Sequence, residues 1–182
     1  MTARGSGHIL SGDICVAFVL PFGTSIAFGR AIPMARNANA IKIRKARPED
    51  LDQIKKLAAR NSDALGFVLR PALEQAILEG RLVVAEMGNR ILGFQEYYHR
   101  KRDRQTTLYH KCVAAEFRGH GIGKALVDAV VAEAQNMGRT HLLLKCPEDL
   151  PANEFHRRYG FKLVAKENGR RRRLNVWRLN LL

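Results

Sequence analysis

The sequence predicts a mixed α/β domain, and three observations carry that expectation. Short runs in which apolar and polar residues alternate are interleaved with stretches whose apolar residues recur every three to four positions, the periods of strands and helices. Gly88-Asn89 separates two of the alternating runs and reads as a hairpin turn, so antiparallel pairs come early in the chain. A glycine-rich turn then stands directly between an alternating run and a long helical one, and a short apolar run follows it, a strand–helix–strand unit. The sum is a mixed, largely antiparallel sheet of about six to seven strands with about four helices.

The elements begin at Ile41. Ile41 to Ala46 alternates as a strand, and Arg47-Pro48-Glu49-Asp50 opens a helix, with proline where a missing N–H costs nothing and acids at the positive dipole end. Leu51, Ile54, Leu57 and Ala58 share that helix's apolar face. A second helix follows Pro71, with Leu73, Ala76 and Ile77 in phase. Leu82 to Glu86 and Ile91 to Tyr98 form the hairpin, and Thr106 to Val113 is the next strand, reached through the charged loop at residues 99–104. The long helix ends near Met137, before Gly138, and turns Ile122, Leu126, Ala129 and Val130 inward. Leu142-Leu143-Leu144 reads as a strand buried on both faces and Pro151 to Arg158 as a short helix. Phe161 to Ala165 and Leu174 to Leu179 read as a final hairpin.

Composition narrows the function classes. The 182 residues carry 31 Lys and Arg against 17 Asp and Glu, a net charge of +14 that calls for an anionic partner. Removing the three arginines and one aspartate of residues 1–40 leaves +12, so basicity belongs to the folded part, residues 41–182. Residues 1–40 read as a poorly ordered extension or an early start, with Met34 as an alternative initiator. The longest apolar candidate, Ile14 to Phe28, is broken by Pro21, Gly23 and Thr24, so no membrane partner is expected. Cys15, Cys112 and Cys146 are too few and too far apart for a disulfide framework, and no metal site is expected. A reducing, cytoplasmic setting follows from that cysteine usage.

The chemistry concentrates in Cys112-Val113-Ala114-Ala115-Glu116-Phe117-Arg118-Gly119-His120-Gly121-Ile122-Gly123-Lys124-Ala125-Leu126. Glycines between a strand and a helix let main chain approach an anion, and the free N–H groups of the first helical turn hold phosphate oxygens. A Walker loop fails because Ala125 follows Lys124 and no hydroxyl is left for magnesium. The dinucleotide fingerprint fails because Lys124 stands where its last glycine belongs.

Arg118-Gly119-His120-Gly121-Ile122-Gly123 resembles the Gln/Arg-x-x-Gly-x-Gly/Ala motif of the GNAT superfamily of N-acetyltransferases. Ala152-Asn153-Glu154-Phe155-His156-Arg157-Arg158-Tyr159-Gly160-Phe161 is similar to that family's later Asn-x-x-Ala-x-x-Phe-Tyr-x-x-x-Gly-Phe segment. The resemblance spans about Ile41 to Leu182 and implies an acetyl-CoA-dependent N-acetyltransferase acting by direct attack of an amine, with no metal. It implies that the main chain from Arg118 through Gly119, His120, Gly121, Ile122 and Gly123 to Lys124 cradles the CoA pyrophosphate. It also implies that Val113 N–H polarises the thioester carbonyl and that Asn153 bonds the cofactor arm, since Asp149 occupies the place of the motif's leading Asn. The family's tyrosine, the proton donor to CoA, aligns with His156, which can donate near neutral pH. Leu144 and Lys145 stand where some relatives carry a basic Glu, which leaves Glu96 and His110 as candidates for the base.

The acceptor is expected to be a small-molecule or protein amine, acidic in character, because Gly169-Arg170-Arg171-Arg172-Arg173 occupies the turn beside its implied entry path. The alternatives are a basic nucleic-acid-binding protein, using Trp177, Tyr97 and Tyr98 as aromatic surface, or a non-catalytic acyl-CoA-binding protein. A monomer or homodimer fits the length.

Overall fold

A computed structural model describes residues 40–100 and 102–181, so all but the last residue of the proposed extension 1–40 lies outside the described residues. Strand β1 (Lys42–Lys45) is followed by a 3₁₀ turn, Pro48–Asp50, and helix α1 (Leu51–Ala59). Arg44 of β1 ties these together, its guanidinium donating to Asp50 at 2.6 Å and to Glu86 at 2.8 Å. Helices α2 (Ser62–Leu65) and α3 (Arg70–Leu78) come next. Helix α2 was not expected, because four residues are too few to show a helical period.

The strands β2 (Leu82–Met87), β3 (Arg90–Arg100) and β4 (Gln105–Val113) form the predicted antiparallel meander. Helix α4 (Ile122–Asn136) leads to β5 (His141–Pro147), then α5 (Ala152–Tyr159), β6 (Lys162–Asn168) and β7 (Arg173–Asn180). The sheet has seven strands in the order β1-β2-β3-β4-β5-β7-β6, and β4 with β5 is its parallel pair.

Two apolar cores flank this sheet. On one, Leu51, Ile54 and Leu57 of α1 and Leu73, Ala76 and Ile77 of α3 cover Val84, Phe94 and Cys112. On the other, Leu126, Val127 and Val130 of α4 cover Leu92, Tyr97 and Leu142. Val127 takes the buried place expected of Ala129, which is half-buried.

A bulge in β4 positions the site. Gln95 stands opposite Lys111 and Tyr97 opposite Leu108, so Tyr109 and His110 together oppose Glu96. An extra residue bends a strand and increases its twist, and the parallel pairing with β5 stops there, at Leu108 with Leu144. Beyond that point β4 and β5 part, while Lys145, Cys146 and Pro147 go on pairing with β7. Leu143, expected to be buried on both faces, is half-buried because it lines the cavity opened by this divergence.

Candidate active site

The parted strands leave two adjoining cavities, of about 550 Å³ and about 620 Å³. Ala64, Leu65, Lys111, Leu150 and Ala152 line both, so the cavities meet across the gap between β4 and β5. Helix α2, at the wall of each, is therefore part of the site.

The first cavity is walled by Val113, Arg118, Gly119, Gly121, Ile122 and Gly123 among others. Gly119 and Gly121 take φ of +81° and +78°, a region that favours glycine, and a Cβ at either would meet no atom within 4 Å. The main chain is therefore bared at the first turn of α4, where N–H groups lack helical partners and the dipole is positive. That surface fits a diphosphate. The side chains of the turn are occupied elsewhere: Arg118 donates to Asn61 Oδ1 at 2.6 Å and to the Val113 carbonyl at 3.2 Å, and Lys124 pairs with Asp128 at 2.7 Å. His120 is exposed, with its Nδ1 2.9 Å from the Arg118 carbonyl. Gly123 faces Phe155 of α5, where a Cβ would sit at ordinary contact distance, 3.6 Å from the ring. Replacing Gly121 by valine forces a branched residue into the left-handed region and narrows the cradle. The expected result is at least a tenfold weaker acetyl-CoA Kd by calorimetry; an unchanged Kd counts against a main-chain cradle.

The edge of β4 supplies a further donor. Ala114 N–H bonds Leu92 O at 2.8 Å, on the β3 side. Successive amides of a strand point to opposite sides, so the Val113 N–H is directed into the gap.

The second cavity holds two of the titratable candidates, His110 and His156. His110 lines it and meets Glu96 at 2.7 Å through Nδ1. Two residues that the sequence offered separately as bases are thus one pair, brought together by the bulge. With Nδ1–H donated to the carboxylate, Nε2 is the ring nitrogen left for a ligand. Arg81 approaches the same carboxylate at 3.8 Å.

His156 also lines this cavity, but it is buried among the rings of Phe155, Phe161 and Trp177, at 5.5, 5.8 and 6.3 Å between centroids. Burial, together with nearby Lys111, pushes its pKa down to about 3, and its Nδ1 has no partner. Both effects disfavour the imidazolium expected to protonate CoA. Asn153, expected at the cofactor arm, bonds protein groups on both sides of its amide. Its Nδ2 donates to the carbonyls of Pro147 and Leu150 at 2.7 and 2.8 Å, while its Oδ1 accepts from Asn175 and from Trp177 Nε1 at 3.0 and 2.9 Å. It lines neither cavity and instead fastens α5 to β5 and β7. Asp149 faces Arg172 at 3.4 Å.

Lys111 escaped the sequence reading. Its Nζ is buried without a hydrogen-bond partner, 3.4 Å from the centroid of the Phe155 ring. The signal was available, because strand alternation sets Lys111 on the same face of β4 as Val113, two residues on. Cys112 and Cys146 are buried free thiols, both pushed up to about 11 by burial, and so are poor nucleophiles. Of the three aromatics offered as a reading surface, Tyr97 and Trp177 are buried in the core, while Tyr98 is exposed, with the Arg81 guanidinium over its ring.

Comparison with known proteins gives concordant results. Residues 79–163 match the acetyltransferase (GNAT) domain family model. The chain is 30% identical over 131 residues to the 5-NmdU N-acetyltransferase of Pseudomonas phage PaMx11, covering 71% of this chain and 92% of that protein. Ard1 from Thermoplasma volcanium superposes with a TM-score of 0.70 at 19% identity, over 79% of this chain and 99% of its own. YncA from Salmonella typhimurium, solved with acetyl-CoA, superposes at 0.66 with 19% identity, over 79% and 95%.

Proposed function

The chain belongs to the GNAT superfamily of N-acetyltransferases, an enzyme family that uses acetyl-CoA, and on that premise we propose that it acetylates an amine on an anionic acceptor by direct attack in the β4–β5 cleft. The observation that carries this reading is the meeting of two cavities of different character at one strand divergence. One is walled by bare main chain suited to a diphosphate; the other holds the Glu96–His110 pair.

Acetyl-CoA, when bound, supplies an activated acetyl thioester. The first turn of α4 holds its anionic end, and the edge of β4 receives its arm. The Val113 N–H, fixed by the strand, stabilises negative charge on the acyl oxygen as the amine adds. His110 Nε2 takes the proton that the amine must lose, and Glu96 holds the ring in the tautomer that leaves Nε2 unprotonated. The apolar walls, among them Leu65 and Leu150, keep water from competing with the amine.

Charge at the mouth supports an anionic acceptor. Arg172 donates to the Asp63 carbonyl at 2.8 Å, bringing the β6–β7 turn against α2, which walls both cavities. Arg170 and Arg171 in the same turn have no ion pair among the described residues, and Arg100 lines the second cavity. The phage relative's 5-NmdU is the first acceptor to test. A thiol-release assay with acetyl-CoA would compare 5-NmdU, a phosphorylated primary amine and spermidine. Release is expected with the anionic or nucleoside-type amines and not with spermidine, and Arg170→Ser with Arg171→Ser is expected to raise KM for the phosphorylated amine several-fold. A preference for spermidine, or a KM indifferent to the arginines, overturns the anionic acceptor. Absence of any thermal shift with acetyl-CoA overturns the enzyme reading itself.

A further inference from the structure

We propose that Lys111 is the acid that protonates the departing CoA sulfur, an inference that rests on the N-acetyltransferase reading of the cleft. Lys111 lines both cavities, and its side chain leaves β4 on the same face as Val113, whose N–H is assigned to the acyl oxygen. Lys111 shares this position with Ala64, Leu65, Leu150 and Ala152, and among these five it alone carries an ionisable side chain. Its Nζ is buried, touches no acceptor, and rests 3.4 Å from the centroid of the Phe155 ring. A buried cation with no counter-ion is costly, and a lysine side chain is long enough to reach solvent from most surface strands.

The groups that face it give it no counter-charge. Cys146 on β5 remains a thiol, its pKa raised to about 11, and His156 on α5 is neutral, its pKa lowered to about 3. His110, on Lys111's own strand, is turned to Glu96, and Lys145 on β5 is paired with Glu167. Burial accordingly pushes the Lys111 pKa down to about 7. An ammonium of that acidity is still populated at neutral pH, and it is a stronger acid than an alkyl thiol, whose pKa is about 8.5. Transfer of its proton to a thiolate therefore runs downhill. It supplies what His156, in the place of the family's tyrosine, does not.

The step balances as follows. The acceptor nitrogen forms a bond to the acyl carbon and gives one proton to His110 Nε2. The carbon–sulfur bond breaks, its electron pair goes to sulfur, and sulfur takes one proton from Lys111 Nζ. Products are the N-acetyl amide and the CoA thiol, and the proton on His110 returns to Lys111 through solvent in the joined cavities.

The test pairs two donors with two variants. In Lys111→Met and Lys111→Arg, kcat with acetyl-CoA is expected to fall by about 10²-fold, with KM for acetyl-CoA changed by less than about threefold. With the acetyl thioester of 4-nitrothiophenol, whose thiolate leaves without a proton, the loss is expected to stay below about threefold. Lys111→Arg keeps the stem and the charge, so it carries the comparison should Lys111→Met fail to fold. A second readout needs no turnover. In ¹⁵N-lysine-labelled protein free of ligand, the Lys111 Nζ signal, assigned by its loss in Lys111→Arg, is expected to titrate near pH 7. Equal losses with both donors, no loss with either, a titration near pH 10, or stable acetylation of Lys111 by acetyl-CoA alone would each overturn the proposal. Those outcomes require a wild type that turns over acetyl-CoA; a wild type that neither binds nor consumes it overturns the parent reading instead.

Discussion

Replacing His110 by alanine is expected to lower kcat/KM for the amine by about 10²–10⁴-fold, the usual worth of a positioned general base, and to leave the acetyl-CoA Kd unchanged. The expectation follows from where His110 lies. It lines the second cavity and not the first, it is turned by a 2.7 Å contact with Glu96, and the β4 bulge holds it there. Glu96 does not itself line either cavity and so acts through the ring. Glu96→Gln should therefore cost less than His110→Ala, and the double variant should cost little more than His110→Ala alone, because the two work as a unit. Steady-state kinetics with calorimetric acetyl-CoA binding on each variant checks this. Additive losses in the double variant, or a kcat/KM for His110→Ala within about threefold of wild type, would remove the pair from the mechanism.

Lys111→Met is expected to be more stable than the wild type at pH 7, by about 1–3 kcal/mol, although it loses activity. In the folded chain the Lys111 pKa is depressed from 10.5 to about 7, so between those values the unfolded chain binds a proton that the folded chain does not. Wild-type stability therefore rises as pH climbs from about 7 towards 10.5 through this group, and the advantage of methionine shrinks over the same window. The full shift would be worth more than the figure given, but the side chain has cavity on two sides into which it relaxes. Urea unfolding of both proteins at pH 7 and pH 10 measures the difference. A gap that is the same at both pH values would mean that Lys111 titrates normally. A variant that loses activity and gains stability marks a residue kept for chemistry and not for the fold.

The local devices of this protein were legible in its residues. The apolar face of α1, Leu51, Ile54, Leu57 and Ala58, is buried as its spacing requires. The glycine turn lies between β4 and α4, with Gly119 and Gly121 at positive φ. These features depend on residues within one or two turns of one another, so the linear pattern carries them. Helix α2 was missed because it is shorter than the window that reveals a period, and the bonds of Asn153 to Asn175 and Trp177 were not legible because those partners come from a distant strand.

By itself the sequence determined the kind of sheet, the order of its elements and the place of the glycine turn, since hydrophobic period and glycine conformation are set by near neighbours. Only the tertiary structure decided which titratable groups meet. A one-residue bulge in β4 sets Tyr109 and His110 against Glu96, parts β4 from β5, and so decides that Glu96 meets His110 and that two cavities meet at Lys111. A shift of one residue in a strand exchanges the faces of every side chain beyond it, and that register is written in the pairing of strands, not in either strand alone.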